Sequence, residues 1–520
     1  MSGDVEVKNA SFGPGSSGLN SASCKAPGGK FTAVVGGDEG GREILMKMMA
    51  GLIEPESGRV TIGGKEIVSA TMPVVGRSLA FVAGDNTFFA GSVRDNLTYS
   101  LRKTPALLSD ADLEDAAERL SEANLTGNYP ATPFGDWTDY EAAGVTDQAS
   151  LNQRVVELAG KVGLAEELYH LGLQARMDPK THPETATRIL EARDQLREAA
   201  AQDATVADIV EFWEEDRFNQ NASLLENVLF GMPTSARASI ADYAEDEKVL
   251  AVLDASGATA PLLKAGLNIA EQLVELLGAV DEDSSLLDSF SEYSKKDILA
   301  SAEIVDAARM KADYEPKDDA RRILLSFALA FVPVRDRLDA VDADVEAALI
   351  AARAKALETT RGSDDFVSFG EDRYSPALAL SENLLDGKRR YDRRSAWRRF
   401  DGFLEEAIEK GGLRDPITEV GLSAPLTAGG GGLSASSKKR AALLRGLLKR
   451  PELIILDGVA GGGGEEDAKI REAVRGEMAG RTVVIAMSDV EAARESDHVI
   501  SVGSDGTAKE GAPASILESA

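Results

Sequence analysis

Apolar residues occur in short runs at the two ends of the chain, separated by glycine-rich turns. Runs of this length are typical of buried strands, and the helical periodicity around them is typical of an α/β fold. Five runs are predicted to be strands: residues 31–35, 59–62, 79–83, 453–457 and 482–487. The pattern therefore predicts α/β structure near both termini.

The middle of the chain has a different pattern and is rich in Ala, Leu, Glu, Asp and Arg. In residues 184–201 and 344–358 the apolar positions recur at i, i+3 and i+4, which predicts amphipathic helices. We therefore expect one α/β domain, formed by residues 1–105 and 411–520, that is interrupted by a mostly helical insertion of residues 106–410.

The insertion contains a repeated segment. Residues 216–231 and 372–387 agree at seven of sixteen positions, including Asp-Arg at the start, Glu-Asn in the middle and Gly at the end. A weaker third copy begins at Asp85, where Asp95-Asn96 replaces Glu-Asn. Such an acid-Asn pair before an apolar run predicts a helix start, because side-chain oxygens accept hydrogen bonds from free N–H groups. The copies are too far apart for a solenoid, which favours a duplication inside the insertion.

The chain is strongly acidic. Its 520 residues carry 57 Lys and Arg against 87 Asp and Glu, a formal charge of −30. This charge argues against a general nucleic-acid-binding protein and against attraction to anionic lipid. A single cysteine, Cys24, excludes an intramolecular disulfide framework, and we predict an ordinary thiol in a surface turn. Three scattered histidines argue against a multi-histidine metal centre, so no metal site is predicted.

No segment predicts insertion into a membrane. The N-terminus lacks the basic start and apolar core of a secretory signal. The longest apolar run, residues 323–334, is too short to cross a bilayer. We therefore expect a cytoplasmic protein, with peripheral attachment to the inner face of a membrane as a further option.

A candidate phosphate site lies in residues 32–52, where a predicted strand leads into a glycine-rich loop and a helix. Glycines in such a loop let backbone N–H groups converge on phosphate at a helix N-terminus. The pattern G-x-x-x-x-G-K-[ST] maps onto Gly36 to Gly41, with Gly40 inside the loop. Arg42 replaces the lysine, and Glu43 replaces the hydroxyl residue that holds Mg²⁺. Two interpretations stay open: a plain glycine turn that starts a helix, or retained nucleotide binding.

Further motifs follow in a fixed order at residues 51–67, 79–97, 431–457, 481–489 and 497–511. In order and spacing they resemble the nucleotide-binding domain of ATP-binding cassette (ABC) transporters, particularly exporter-type cassettes. The resemblance covers about residues 1–100 and 410–515. It implies an α/β fold, with an ABC-type, P-loop NTPase-like cassette core interrupted by the helical insertion.

The sequence departs from the family pattern where the family performs chemistry. Of the LSGGQ signature Ser434 is retained, and Asp457 retains the acidic residue of the Walker B strand. At the remaining positions other residues replace the family's groups. Pro14 stands in place of the adenine-stacking aromatic, Gly84 in place of the Q-loop glutamine, and Ala435, Ser436 and Ser437 in place of the rest of the signature. Gly458 stands in place of the catalytic glutamate, Gly461–Gly464 in place of the D-loop and Ser488 in place of the switch histidine. Because ATP hydrolysis needs these groups together, no residue is assigned a catalytic role.

The resemblance and these departures together indicate a pseudo-ATPase that acts as a structural or regulatory subunit. Its protein partner would be another cassette subunit or a membrane complex. No cofactor is expected, with bound ATP and Mg²⁺ as the alternative. The alternative function is an ATP-binding subunit of an ABC exporter whose degenerate site relies on a competent partner cassette. The vestigial nucleotide site would consist of Gly36, Gly40, Gly41, Arg42, Glu43, Ser434 and Asp457.

A second candidate site is the basic segment of residues 388–399, which carries seven Lys and Arg side chains with Tyr391 and Trp397 between them. Mixtures of basic and aromatic residues bind RNA or phosphorylated headgroups. The same side chains can instead dock on acidic neighbours of their own chain. Both interpretations, an anionic partner and intramolecular pairing, stay open at this point.

Overall fold

The computed structural model describes residues 3–13, 18–36, 41–84, 87–103, 118, 121–128, 136–203, 208–277, 292–311, 314–370 and 372–518. The chain divides into two compact units. Unit 1 consists of Met1–Gly172 and Thr418–Ala520, and unit 2 consists of Leu173–Ile417.

The elements are numbered in chain order. The N-terminal region contains β1 (Val5–Phe12), β2 (Leu19–Ala26), β3 (Phe31–Gly36), α1 (Gly41–Met49), β4 (Ser57–Ile62), β5 (Lys65–Glu66), α2 (Met72–Ser78), β6 (Leu79–Val82), β7 (Gly91–Ser92), α3 (Val93–Thr98), α4 (Tyr140–Ala143), α5 (Gln148–Val162) and α6 (Ala165–Gln174). The middle contains α7 (Pro183–Gln202), β8 (Val210–Phe212), α8 (Leu224–Leu229), β9 (Gly231–Pro233), α9 (Glu247–Ser256), α10 (Thr259–Leu277), α11 (Lys295–Met310), α12 (Asp318–Ala330), α13 (Pro333–Asp336), α14 (Ala343–Thr360), β10 (Phe366–Ser368), α15 (Leu380–Leu385), β11 (Gly387–Arg389), α16 (Trp397–Lys410) and α17 (Arg414–Gly421). The C-terminal region contains β12 (Pro425–Leu426), α18 (Ala435–Leu448), β13 (Leu453–Leu456), α19 (Glu465–Glu477), β14 (Thr482–Ala486), α20 (Val490–Ala493), β15 (His498–Val502), β16 (Ala508–Gly511) and α21 (Pro513–Leu517).

Unit 1 is built around a six-stranded sheet in the order β16-β15-β3-β14-β13-β6. All neighbours are parallel except β15 and β16. Strands buried on both faces need continuous apolar runs, and every residue of β13 and β14 is buried. Because parallel strands end at the same edge, the segments that follow β3, β6, β13 and β14 meet there.

Each face of this sheet has its own core. On one face, α1 and the antiparallel sheet β2-β1-β4-β5 pack through residues such as Val7, Val34 and Leu45. On the other face, helices α5, α18 and α19 contribute side chains such as Leu158, Leu443 and Val474. The apolar face of α5 packs on α18 and α19, so helices α4 and α5 belong to unit 1, although the sequence boundary at residue 105 places them in the insertion.

Unit 2 is mostly helical and has a single large apolar core. Its strands form two small antiparallel pairs, β9 with β10 and β8 with β11. The first repeat lies between β8 and β9, and the second lies between β10 and β11. Each repeat therefore pairs its leading strand with the trailing strand of the other repeat.

The two repeats have the same hydrogen bonds around their asparagines. In the first, the amide of Asn227 accepts from the backbone N–H of Asn219 at 2.8 Å and donates to its carbonyl at 2.9 Å. In the second, Asn383 makes both bonds with Ser375 at 2.8 and 2.9 Å. Asn96 of unit 1 does the same with Phe89, although Asp85 and Asn86 of that third copy lie outside the described residues.

An arginine holds each of these asparagines through its backbone carbonyl. Nε of Arg353, on α14, donates to Asn227 O at 2.6 Å, and Nε of Arg193, on α7, donates to Asn383 O at 2.7 Å. Helix α14 precedes the second repeat but contacts the first, and α7 precedes the first repeat but contacts the second. The two repeats of unit 2 thus exchange helices as well as strands.

Cys24 lies on β2 and is 4% exposed, so its predicted placement in a surface turn is wrong. The alternation of β2 turns this side chain towards the core of the antiparallel sheet. Burial raises the pKa of the Cys24 thiol to about 12, and the thiolate is the reactive form.

We therefore expect the folded protein not to react with Ellman's reagent at about pH 8, and one thiol per chain to react in guanidinium chloride. Absorbance at the thionitrobenzoate band measures both reactions. Because the chain has one cysteine, rapid stoichiometric reaction of the folded protein would contradict this placement directly.

Candidate functional site

A cavity of about 520 Å³ opens at the edge of the unit 1 sheet where β13 and β14 end. Its walls come from Arg42, from the segment that follows β13 and from the first turns of α18 and α19. The size suits a small-molecule ligand. Of the residues predicted for the vestigial site, Arg42 and Asp457 line this cavity.

Arg42 lies in the first turn of α1 and reaches across two strand ends. Its guanidinium donates to Gly36 O at 3.3 Å, at the end of β3, and to Met487 O at 3.2 Å, just after β14. Gly36 has φ +145°, and a Cβ there would lie 2.4 Å from Val502 O, so only glycine fits. Gly40 lies outside the described residues.

Glu43 does not face the cavity. Its carboxylate forms an ion pair with Lys47, one turn further along α1, and the Glu43 side chain is more than half exposed. Gly41 is buried at the start of α1, close to Val502. These two predicted site residues therefore shape the helix start and do not line the cavity.

Asp457 stands at the end of β13, where its backbone N–H donates to Val82 O at 2.8 Å. The next residue, Gly458, has φ +71°, a left-handed conformation that a residue with a side chain adopts only with strain. A Cβ placed on Gly84, after β6, would lie 3.6 Å from Gly458 O. Positions 84 and 458 therefore lie side by side, Gly458 lines the cavity, and neither position has a side chain.

Ser434 is the N-cap of α18. Its Oγ accepts from the backbone N–H of Ser437 at 3.0 Å, and the two hydroxyls are 2.8 Å apart. Ser437 Oγ in turn donates to Glu167 at 3.0 Å. The hydroxyl of Ser434 is thus used to start the helix and does not line the cavity.

The glycine run Gly461–Gly464 is closely packed. A Cβ on Gly461 would lie 2.5 Å from Ala486 O, and one on Gly463 would overlap the carboxylate of Asp489. Buried Arg471 donates to Ala460 O at 3.0 Å and to Gly462 O at 2.6 Å. Ser488 donates its backbone N–H and its hydroxyl to Gly461 O, at 3.0 and 3.2 Å. Close backbone approach therefore requires glycine at position 461, whereas Gly464 has open space around it.

Sequence reasoning missed the charged side chains that α18 and α19 bring to the cavity: Lys439, Arg440, Glu466 and Asp467. Arg440 forms an ion pair with Glu466, and Asp467 accepts from the backbone N–H of Gly462 at 2.7 Å. The run Ser436-Ser437-Lys438-Lys439-Arg440 was the available signal, because it follows directly on the predicted helix start.

Comparison with known proteins identifies the domain. Residues 19–136 match the family model described as ABC transporter. The chain contains an ABC transporter domain. The predicted family resemblance and the predicted fold class, an α/β cassette with a sizeable helical portion, are both confirmed.

Several ABC proteins are similar to this chain over limited lengths. It is 34% identical over 125 residues to the ABC multidrug transporter atrC of Emericella nidulans, which covers 23% of this chain and 10% of that protein. It is 28% identical over 155 residues to the mitochondrial iron-sulfur clusters transporter ATM1 of Chaetomium globosum, covering 29% and 24%. It is 27% identical over 216 residues to the sulfate/thiosulfate import ATP-binding protein CysA of Mycolicibacterium paratuberculosis, covering 40% and 56%.

Among solved structures, a bacterial Atm1-family ABC exporter with ATP bound aligns with 100% of this chain and 40% of its own, at a TM-score of 0.33 and 10% identity. No argument rests on a likeness this low. The described helices include none with the length and apolar character needed to cross a bilayer.

The ABC family implies Mg²⁺ beside bound nucleotide. Proteins usually hold Mg²⁺ through one or two carboxylates, together with substrate phosphates and water. Within the described ranges, His, Cys, Asp and Glu side chains nowhere form a group of three that could hold a metal ion. Glu43 pairs with Lys47, and position 84 offers no side chain. Asp457 is the one predicted ligand position that both keeps its carboxylate and lines the cavity.

In unit 2, the basic segment of residues 388–399 is largely engaged with its own unit. Lys388 bridges Glu226 and Glu382, Arg389 pairs with Asp401, and Arg390 and Arg393 both pair with Asp208. Arg394 lies over Tyr391 and Trp397, while Arg398 and Arg399 are exposed. These contacts favour intramolecular pairing, and an anionic partner for the segment stays a prediction.

Proposed function

We propose that this chain is a non-hydrolysing ABC cassette that serves as a structural or regulatory subunit of a larger, membrane-associated transport assembly. The observation that carries the proposal is the formed cavity at the sheet edge, which Gly458 lines without a side chain and beside which Gly84 also has none. Phosphoryl transfer to water needs a group that orients the attacking water. A fold kept intact around such a cavity supports a role in assembly.

One backbone feature and one side-chain contact support the loss of hydrolysis beyond the missing side chains. Gly458 at φ +71° would strain a glutamate placed there. The hydroxyl of Ser488 donates a hydrogen bond to Gly461 O, so this side chain fixes the position of the glycine run. The local structure is therefore adapted to the residues that it has.

With saturating Mg-ATP, we expect the purified full chain to release phosphate below about 10⁻³ s⁻¹, since loss of a general base alone removes about 10²- to 10⁴-fold. A coupled phosphate assay measures the rate. As a matched control, the double variant Gly458→Glu with Ser488→His should stay equally inactive, because the left-handed backbone at position 458 does not suit a glutamate. Turnover of about 1 s⁻¹ by the unaltered chain would contradict the proposal.

The alternative, an ATP-binding subunit whose degenerate site relies on a competent partner cassette, is supported by the transporter relatives and by Arg42 and Asp457 at the cavity. The two proposals predict different effects of a partner cassette on ATP hydrolysis. Hydrolysis that requires this chain together with a second cassette, and that falls on Arg42→Ala, would support the alternative.

The partner and the location also belong to the proposal. We expect a cytoplasmic protein that co-purifies with another cassette subunit or with a membrane complex. Tagged full-length chain, isolated from detergent-solubilised cells and from the soluble fraction, tests this by mass spectrometry. If the tagged chain is recovered from both fractions and neither sample contains a cassette subunit or a membrane protein, the assembly role is contradicted.

A further inference from the structure

Three arginines of the basic segment of residues 388–399 have no ionic partner among the residues that the structure describes. Arg394, Arg398 and Arg399 are exposed, and their guanidinium groups form no ion pair or hydrogen bond with any described residue. The other four basic side chains of the segment each pair with a carboxylate of unit 2. The three unpaired side chains, which we call the arginine cluster, are therefore available to an anionic ligand.

Two aromatic rings hold one member of the arginine cluster in place. The guanidinium carbon of Arg394 lies 5.5 Å from the ring centre of Tyr391 and 5.8 Å from that of Trp397. Trp397 is itself fixed, because its indole N–H donates to Arg390 O at 2.9 Å. A guanidinium that stacks on a ring keeps its N–H edges free for a carboxylate or a phosphate. The cluster is thus partly ordered before an anion binds, which lowers the entropy cost of binding.

The spacing of the arginine cluster matches an extended peptide. Arg394 and Arg398 are four residues apart, across the junction of the 3₁₀ turn Tyr391–Ala396 with α16, and Arg399 follows directly. Side chains one helical turn apart lie about 6 Å from each other. Alternate side chains of an extended strand lie on one face, about 6.6 Å apart. Acidic residues at alternate positions of an extended peptide therefore present their carboxylates at the spacing of the arginines.

A membrane surface or a nucleic acid suits the arginine cluster less well than a short peptide does. The cluster is small and has exposed acidic neighbours, Asp392 before it and Glu406 further along α16, on a chain of charge −30. A flat anionic membrane or a long polyanion would approach these carboxylates as well. Single-stranded nucleic acids stack their bases on open aromatic faces, whereas the guanidinium groups of Arg389 and Arg394 lie over Trp397.

We infer that the arginine cluster binds a short, extended acidic segment of a protein partner, whose carboxylates accept hydrogen bonds from the three guanidinium groups. Recognition of acidic motifs by grouped arginines follows the same chemistry. The inference rests on the proposed assembly role and specifies one surface for the protein partner that this role requires.

The test measures the fluorescence anisotropy of a fluorescein-labelled peptide of alternating glutamate and serine, titrated with the full chain at about 50 mM NaCl. We expect a Kd of about 10–100 μM, and no binding of the same peptide with glutamine in place of glutamate. The triple variant Arg394→Gln, Arg398→Gln, Arg399→Gln should weaken binding by at least about tenfold. Because the three side chains are exposed, this variant is expected to keep the melting temperature of the unaltered chain.

A second triple variant separates the arginine cluster from the general charge of the chain. Arg217→Gln, Lys355→Gln, Arg361→Gln removes three exposed cations of the same unit that lie outside the segment. It changes the net charge equally, so it should alter the Kd by less than about twofold. Equal weakening by both triple variants would reject the cluster as the binding site.

The remaining outcomes also reject the inference. Equal binding of the glutamine peptide would show that carboxylates are not the recognised groups. Tighter binding to vesicles with about 30% phosphatidylserine, or to oligo(dT), than to the acidic peptide would assign the cluster to a lipid or a nucleic acid. The co-purification experiment tests the assembly role on the whole chain without the peptide, so this inference can fail while that role stands.

Discussion

Replacing Arg353 with methionine is expected to lower the free energy of unfolding of unit 2 by about 4–5 kcal/mol. Arg353 is 1% exposed, and its guanidinium donates to the carbonyls of Asn227, Glu214, Glu215 and Arg217 at 2.6–3.2 Å. A methionine fills the volume but leaves these carbonyls without the guanidinium donor. The loss is largest at buried Asn227, since Glu214, Glu215 and Arg217 are exposed, and a buried acceptor without a donor costs about 1–3 kcal/mol. The effect ranks with the largest known for single substitutions.

Urea unfolding followed by tryptophan fluorescence measures this change, because Trp213 is buried in unit 2 and stacks on Phe369 with ring centroids 4.0 Å apart. Arg353→Lys should be nearly as unstable, since an ammonium cannot reach several carbonyls in the directions of the guanidinium fork. Arg361→Met, an exposed arginine just after the same helix, is the matched control and should change stability by less than about 1 kcal/mol. A loss below about 1 kcal/mol for Arg353→Met would contradict the interpretation.

Burial lowers the pKa of Arg353 to about 10, so the guanidinium is still charged at neutral pH. The carbonyls it binds carry only partial charges, and the site is therefore held by hydrogen bonds rather than by an ion pair.

Replacing Lys388 with methionine should cost about 3–4 kcal/mol, because the lysine joins the two repeats through an ion triplet in which Lys388 and Glu226 are largely buried and Glu382 is half-buried. Its Nζ lies 2.6 Å from Glu226 and 2.9 Å from Glu382. Burial alone would lower the pKa of Lys388, but the two carboxylates raise it well above its usual value. Without the lysine, the carboxylate of Glu226, which is 3% exposed, would be buried without a cation.

The pH dependence of this variant separates an electrostatic loss from a packing loss. Burial raises the pKa of Glu382, but Lys388 lowers it below its ordinary value in the unaltered chain, and Lys388→Met removes this cation. A lowered carboxyl pKa contributes stability above the unfolded value of about 4.3 that is lost as the pH falls, so the deficit of Lys388→Met should be smaller near pH 4 than near pH 7.5. A deficit independent of pH would contradict the ion triplet.

Two variants serve as controls for the triplet. Lys248→Met removes an exposed lysine that pairs with Asp365 in the same unit, and it should cost less than about 1 kcal/mol. The triple variant Lys388→Met, Glu226→Gln, Glu382→Gln removes all three charges, so it should recover part of the lost stability. In the first repeat, the position that corresponds to Lys388 is the buried Met232, so a methionine is accommodated at this place in the repeat.

The sequence predicted those elements whose hydrophobic pattern is contained in one short stretch of consecutive residues. The buried strands β3, β13 and β14 show as apolar runs, since a strand covered on both faces has no polar side to interrupt the run. Helices α7 and α14 show as amphipathic repeats within one residue or two of their observed bounds. In these cases local periodicity and tertiary burial agree.

The rest depends on contacts between distant residues. Lys439 has the sequence pattern of a solvated helix position, and only the packing of α18 on β6 places it beside Gly84. Arg193 and Arg353 look like surface residues of charged helices, yet each is buried against a carbonyl of the other repeat. Pro14 and Gly40, both assigned by motif, lie outside the described residues and stay predictions.

The exchange of strands and helices between the two repeats of unit 2 limits which deletions this part of the chain tolerates. Deleting one repeat with its flanking strands and helix would leave the surviving copy with two open strand edges and an asparagine carbonyl that has lost its arginine. Such open edges would be free to pair with another molecule. The two copies of unit 2 are therefore stably gained or lost together, and a chain that kept one of them would pair its open strands with a second polypeptide.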